Sequence, residues 1–507
     1  MKQILNITMP LIIKGGMDNV LNTRLRVACN IYNDMLDYKL KRYRALTLSK
    51  EWQKSSVAIA KFYNSEKGKE YQKSKKKGKV PDELKAIYEY RKNALKEYGF
   101  TKFDFISDVS NYTKRYQKLI LAIMARITIA QRMWGAFNRM LYGNGKTVHF
   151  IKVQDFNSFT TDGKAGCRLK KDNHGYYLVL SNSTQKAKIY KIYLKRPETA
   201  YDEIALREVE KGNLKLIRVL RKKVKDTYKY YCQLTIEIDP SLLEKVDQNG
   251  DYVYTYGSGQ VGLNIWRNKV AAVSKNQIKY FDLAPDREDH LKRVSALSQK
   301  LEEIRRTNNP QNFNEDGTIK KGIIVNGRKE RLSWTLPAEY QRAKKKLFEE
   351  HRKYAEKLKL YQQHLVYELL EMGDEFVLYD TSSFLTKKLD FDEENRLSNK
   401  EYQKKAARRR SIAHNAPSQF LSFLDSKLLL RDLKPIDRVK VKDELYWYRH
   451  DLGVSDKDNL SEETIIIRGI PVNQTIYRAF LILSYDKKNQ TYLQPELEEN
   501  FDIFAQS

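Results

Sequence analysis

Apolar and polar positions alternate from Lys2 and then run apolar to Lys14, a strand pattern that the Gly15-Gly16 pair ends in a turn. Beyond it the period lengthens. Leu21, Leu25, Cys29, Tyr32, Leu36 and Leu40 recur at three- and four-residue steps, one apolar stripe of a helix, with Arg24, Arg26, Asn30 and Asn33 off that stripe. Helical patterning continues to about Asn144, broken by KSKKKGK at Lys73 to Lys79. That run reads as a loop, either a solvated linker or an arm whose Lys75, Lys76 and Lys77 contact phosphate. The stretch from Tyr116 to Tyr142 is too apolar for a solvent helix, which predicts a core element with Arg126, Arg132 and Arg139 at its rim.

From Thr147 to Pro240 the pattern turns to short runs rich in β-branched and aromatic residues: YYLVLS, AKIYKIYLK, LKLIRVLRKKV and KYYCQLTIEI. Several such strands predict a small barrel, which the N-terminal strand could complete with the helical region inserted between. A third region starts near Tyr252. It predicts a strand over Gln260 to Ser274, a second over Gln277 to Asp282 and a helix over Arg287 to Arg306. A long basic helix follows from about Pro337 to Met372, ended by Gly373. Glu375 to Asp380 reads as a buried strand, and helices follow near Ala416 to Leu430 and Val472 to Leu483. Alternating strands and helices make this an α/β domain, and the chain as a whole an α/β multidomain protein.

At 507 residues with 41% hydrophobic content, the chain can fill about two to four domains. Its 94 lysines and arginines against 64 acids leave a formal charge of +30, too large for local ion pairing to cancel. A polyanionic partner is expected, most simply nucleic acid, and 34 tyrosines supply rings that stack on bases. The three cysteines, Cys29, Cys167 and Cys232, form no CxxC pair, so neither a zinc ribbon nor a disulfide framework is expected. No apolar run reaches the roughly eighteen residues of a membrane span, and the chain is read as soluble and cytosolic.

One strand raises a question of chemistry. In GQVGLNIWRNKVAAVS, Val261, Leu263 and Ile265 alternate with smaller or polar residues, and the neutral amide Asn264 stands among them. This segment is one of a series: TRLRVACNIYNDML with KEWQ soon after, KEYGF, HFIKVQDFNSF, QVGLNIWRNKVAAVS, RRTNNPQNF, GDEFVLYDTSSF, YQKKAARRRSIAHNAPSQFLSFLDSKL and TIYRAFLIL. In this order, along most of its length, the chain resembles TnpB, the transposon-encoded RNA-guided nuclease related to type V CRISPR effectors.

The resemblance implies a β-barrel wedge domain (1–15 and 147–250) with an inserted helical recognition domain (16–146), followed by a RuvC-like domain of RNase H fold (251–507). Such a domain cuts phosphodiesters with two divalent metals held by an Asp in the first strand, a Glu in the later strand and an Asp before the last helix. Those positions fall here on Asn264, on Tyr379, and on Thr475, or Asn473 if the register is two residues off. None is a carboxylate. Asp380 is the best nearby substitute, but one step along a strand turns its side chain to the other face unless a bulge intervenes. Asp282, Asp425 and Asp451 are less placeable.

No cysteine follows Cys232, so the family's zinc ribbon is also missing. The expectation is a chain resembling the TnpB-like nuclease-dead repressors, with no catalytic residues, no zinc, no magnesium site, and a guide RNA and double-stranded target DNA as partners. The bacterial cytoplasm and its nucleoid would be its place, and no membrane is implied. Two other readings stay open: a residual metal-dependent nuclease using Asp380, and a targeting subunit that recruits a partner nuclease, transposase or defence effector.

Candidate nucleic-acid contacts follow from the same resemblance. Arg24, Arg26, Tyr32 and Asn33 would face a duplex, or else form an ordinary solvated face with Tyr32 in the core. Lys344, Lys345, Lys346, Arg352 and Lys353 on the long helix would track a guide–target heteroduplex, or simply solvate the helix. Arg408, Arg409 and Arg410 form a phosphate site, because three adjacent guanidiniums repel one another without an anion.

Overall fold

The computed structural model describes all residues except 1–2, 75–79, 115–120, 122, 143–144, 146, 165, 182–188, 198, 240–241, 243–255, 267, 321–323, 326–327, 330–331, 380–414, 442, 457–462 and 507. The chain divides into two units, Lys2–Ile238 and Asp239–Ser507, each with its own core.

In the first unit, β1 (Gln3–Pro10) buries Leu5, Ile7 and Met9 between exposed neighbours, the period-two alternation of a half-buried strand. It is shorter than the Lys2–Lys14 pattern. Between it and β2 (Ser158–Thr161) the described residues form six α-helices, Met17–Leu48, Lys50–Asn64, Glu66–Ser74, Asp82–Glu97, Lys102–Lys114 and Ile123–Tyr142, and a short 3-10 turn, Val153–Asp155. A three-stranded sheet follows, β3 (Cys167–Asp172), β4 (Gly175–Ser181) and β5 (Ile189–Tyr193). Then come β6 (Leu214–Val224) and β7 (Thr227–Ile238), which join β1 and β2 in a four-stranded sheet of order β1-β7-β6-β2. The N-terminal strand therefore pairs antiparallel with the last strand of the unit, Gln3 opposite Ile238. The two sheets meet just past β1, where Leu11 bridges Leu194 and the Ile12 N–H donates to the Tyr193 carbonyl at 2.8 Å.

The long first helix buries Leu21, Leu25, Cys29, Tyr32 and Leu36 of the predicted stripe. Lys39 is buried beside them, 2.6 Å from the Asp108 carboxylate and donating to the Gly99 carbonyl at 2.7 Å. One helix, Ala200–Glu210, is absent from the predicted pattern. Its signal is the N-cap: Thr199 accepts from the Asp202 N–H, with Asp202 and Glu203 in the first turn.

The second unit is built on a five-stranded sheet of order β10-β9-β8-β13-β14. The stretch from Gln260 to Ser274 is not one strand but a hairpin, β8 (Gln260–Trp266) and β9 (Lys269–Val273), with Trp266 opposite Lys269. Asn268 sits at the reversal, where its amide donates to Asp282 and to the Ala284 carbonyl. β10 (Ile278–Asp282) extends the antiparallel run, and helix Arg287–Asn308 follows. A two-residue pair, β11 (Ile324–Val325) and β12 (Arg328–Lys329), precedes the long helix Ala338–Leu370. β13 (Glu375–Tyr379) then adds parallel to β8, and β14 (Asp437–Val439) parallel to β13.

One face of this sheet, with Val261, Leu263, Ile265, Phe376 and Leu378, packs on Leu365, Val366 and Leu369 of the long helix and on Phe420, Leu424 and Leu428 of helix Pro417–Leu429. The other face, with Ala271, Val273 and Tyr379, packs on helix Gln474–Leu481 and on Leu497 and Phe501 of helix Gln494–Gln506. Between β14 and Gln474 lie helix Asp443–Tyr446 and two hairpins, β15 (Tyr448–Arg449) with β16 (Val454–Ser455), and β17 (Thr464–Ile467) with β18 (Ile470–Asn473). β19 (Tyr485–Asp486) and β20 (Thr491–Tyr492) form a further antiparallel pair. Among the described residues no helix is long and apolar enough to cross a membrane.

Candidate functional site

Helix Gln474–Leu481 is buried nearly all round, including Thr475, Tyr477, Arg478 and Phe480. It can lie directly on the sheet because residue 262 has no side chain: a Cβ on Gly262 would stand 2.0 Å from the Ala479 carbonyl oxygen. Asn473 sets the helix start, its Oδ1 accepting the N–H groups of Thr475 at 2.9 Å and Ile476 at 3.4 Å. The alternative position for the third acid is therefore a capping amide. This seating brings the first turn against Asn264, whose Nδ2 donates to the Thr475 carbonyl at 3.2 Å. Asn264 is fully buried. An aspartate there would set a carboxylate oxygen against that carbonyl, two acceptors with no proton between them. The amide in this strand is thus the group that the backbone opposite requires.

Tyr379 lies on the same face. Leu378 pairs with Leu263 in the parallel ladder, so the next residue of each strand turns toward helix Gln474–Leu481. The Tyr492 hydroxyl donates to the Leu445 carbonyl at 2.9 Å, which uses its only proton. The Tyr379 hydroxyl, 2.6 Å from it, must therefore donate to Tyr492. Burial pushes the Tyr379 phenol well above its ordinary range. Its ring meets Tyr446 edge-on at 5.3 Å.

Among the described residues this centre holds a cation, Arg478, which is fully buried. Its guanidinium carbon lies 4.1 Å from the Trp447 ring centre, 4.2 Å from Tyr446 and 5.2 Å from Trp266. Its electrostatic neighbours include the phenols of Tyr446, Tyr379 and Tyr492, and burial pulls its pKa down from the ordinary value. Desolvated cation–π contacts of this kind contribute about 2 kcal/mol each, and with the hydrogen bond to Tyr446 they offset part of the cost of burying the charge.

The structure thus brings together the three positions read as degenerate, Asn264, Tyr379 and Thr475, and adds Arg478, which the sequence reading did not single out. A divalent pair does not fit this donor set. Magnesium takes charged, hard oxygen ligands, whereas these side chains supply an amide donor, a threonine, phenols and a guanidinium. Other acids named from sequence are engaged elsewhere. Asp282 pairs with Lys269 at 2.9 Å, Asp425 with Arg438 at 2.6 Å, and Asp451 with Arg449 at 2.6 Å. Asp380 lies outside the described residues.

The segment between β14 and the Gln474 helix is held by polar contacts and rings. Arg449 binds Asp451 and donates to the Ile466 carbonyl at 2.8 Å, tying the β15–β16 hairpin to β17. His450 is buried, its Nδ1 2.7 Å from the Tyr477 hydroxyl, its ring 4.7 Å from Phe501. Burial pushes its pKa down to about 4, aided by Arg468. The three cysteines are all buried in the first unit.

Of the nucleic-acid candidates, three point inward. Arg24 is buried with its guanidinium over Tyr190 at 5.5 Å, and Tyr32 is buried near Phe156. Asn33 clamps the Ile151 backbone, accepting its N–H at 2.9 Å and donating to its carbonyl at 2.8 Å. Asn33, on the polar-looking flank of that helix, is turned inward by the backbone of Ile151, a segment remote in sequence. Arg26 is exposed. Lys344, Lys345, Lys346 and Lys353 are exposed on the long helix, but Arg352 is held by Glu349 at 2.6 Å and by Glu356, which raises its pKa. Arg352 is thus ion-paired along its own helix. Lys75, Lys76, Lys77, Arg408, Arg409 and Arg410 lie outside the described residues. In the first unit, a cavity of about 470 Å³ is lined by Arg132, Arg218, Phe156, Asn157 and Ser158, among others. Both arginines are exposed there, Arg132 over Phe156 at 4.8 Å and Arg218 donating to the Ser158 hydroxyl at 3.0 Å.

No protein-family model matches the chain, and no curated protein does. Solved structures that align with it include a CRISPR-Cas12f ternary complex, at 12% identity over 93% of this chain and 82% of that one, with a TM-score of 0.27. A Cas12i1 R-loop complex aligns at 9% identity over 80% of this chain and 53% of that one, TM-score 0.27. A Cas12i complex with crRNA and double-stranded DNA aligns at 11% over 90% and 67%, TM-score 0.27. Likeness at this level is too slight to carry an assignment.

Proposed function

We propose that this chain is a nuclease-inactive, RNA-guided DNA-binding protein. It carries a guide RNA, occupies complementary DNA beside a short duplex motif, and represses transcription there by occupancy. The observation that carries the inactive half of this reading is the centre between β8, β13 and helix Gln474–Leu481, where Asn264 bonds the Thr475 backbone, Tyr379 bonds Tyr492, and Arg478 sits among rings. The mixed sheet, three antiparallel strands extended by two parallel ones, supports a RuvC-like core of RNase H type. In this reading the first unit would supply the wedge and recognition parts.

The binding half rests on the sequence resemblance and on the charge of +30. Exposed cations such as Arg26, Lys344, Arg132 and Arg218 would contact backbone phosphate, while guide pairing reads the sequence. The test is to purify the chain with its bound nucleic acid, sequence that RNA, and measure retention of a duplex matching it. One RNA class with a variable end, and retention only of its matching duplex, is expected. Purification free of RNA would sink the proposal, and a stable co-purifying nuclease or transposase would replace repression with recruitment.

A further inference from the structure

A buried guanidinium at a site whose other polar groups are an amide, a threonine and phenols has a consequence for every cation that approaches it. Arg478 is fully buried on a helix whose first turn is bonded to Asn264. Trp266, which faces it at 5.2 Å, stands two residues past Asn264 on the same strand and so on the same sheet face. Tyr446 and Trp447 cover it from helix Asp443–Tyr446 and the residue beyond. Two separate chain segments, β8 and the 446–447 stretch, thus supply the rings of one box. A guanidinium among such rings is held by cation–π attraction, and it is less strongly hydrated than an ammonium or a metal ion.

We propose that Arg478 is the resident cation of this centre and closes it to divalent metal. The inference rests on the inactive-nuclease reading, but it adds to it: loss of the acids is only half of the change, and restoring carboxylates is not sufficient to restore a metal site. Of the three positions it is Tyr379 whose side chain feels the guanidinium, and a divalent ion held between the three would have to enter near a fixed positive charge in a poorly solvated interior. Arg478 would act as a positioning residue, binding neither nucleic acid nor metal.

The experiment compares Asn264→Asp/Thr475→Asp with the same pair plus Arg478→Met, a side chain of similar length that packs on aromatic rings without charge. Each full-length variant is titrated with Mn²⁺ by electron paramagnetic resonance, and folding is checked by circular-dichroism melting. Mn²⁺ is expected to bind about tenfold tighter or more when Arg478 is absent, because the like-charge repulsion is gone. Equal affinity, or equal absence of binding, with and without Arg478 would overturn the proposal.

A second measurement does not depend on buried acids. Arg478→Ala empties the box, and low-millimolar guanidinium ion is expected to raise the melting temperature of that variant, while equal sodium or magnesium does not. The same response to all three salts would count against a resident cation. Both measurements use altered chains and no guide, whereas the inactive-nuclease reading is tested by cleavage in the unaltered protein, so failure of one is distinguishable from failure of the other.

Discussion

Asn264 is buried with its Nδ2 committed to a carbonyl and its Oδ1 without a hydrogen-bond partner among the described residues. Asn264→Asp should therefore destabilise the second unit by about 1–3 kcal/mol, the cost of replacing a donor that satisfies a buried carbonyl, measured by chemical denaturation. A stability equal to that of the parent chain would show that the amide is not required there. Asn473→Ala removes the cap of helix Gln474–Leu481 and should cost about 1 kcal/mol in the same assay. The neutrality of residue 264 was legible in the sequence, because an amide stood where the family pattern asks for an acid. Arg478 was not. It is one charge in an apolar helix, and its setting is made by Trp266, Tyr446 and Trp447, more than thirty residues distant or on another strand. The inward turn of Arg24 and Asn33 was equally hidden, since Arg24 lies over Tyr190 and Asn33 is fixed by Ile151, whereas Tyr32 already stood on the apolar stripe.

At the scale of elements, helix Gln474–Leu481 and β8 touch through Gly262, and the seating of one on the other fixes the centre. Gly262→Ala places a methyl against the Ala479 carbonyl and should cost about 2 kcal/mol or more, as overpacked cores do, with the loss read in the melting temperature. The pattern from Gln260 to Ser274 reads as one strand, and the hairpin in it is hidden because its turn is stabilised from outside, by Asn268 bonding to Asp282 and Ala284. The β15–β18 segment makes a pH prediction. His450 is held neutral in the fold, with its pKa pushed from 6.5 to about 4. The unfolded chain therefore takes up the proton at higher pH than the folded one, so this contribution to stability is full above about 6.5 and is lost as pH falls toward 4. The fall in melting temperature across that window should be steeper in the parent than in His450→Gln, and parallel curves would remove His450 from the account.

For the whole molecule, the excess of 30 positive charges sets how binding depends on salt. Affinity for a matched duplex should fall at least about a hundredfold from about 50 to about 200 mM salt. Lys344→Ala should weaken binding and flatten that slope, while Arg352→Ala leaves both nearly unchanged, because Glu349 and Glu356 already hold its guanidinium. The mixed α/β character and most of the order of helical and strand-rich stretches followed from periodicity. The pairing of β1 with β7, more than two hundred residues apart, is the kind of long-range contact that pattern suggests only as one connectivity among several.

The most direct test of the central claim is the fate of the DNA. The unaltered protein, loaded with its co-purified RNA, is incubated with an end-labelled duplex matching that RNA, in magnesium and separately in manganese, and both retention and strand length are followed over hours. The account predicts a duplex that stays bound and stays intact on both strands. Guide-dependent cuts in either strand, abolished by a change at Asp380, would contradict it.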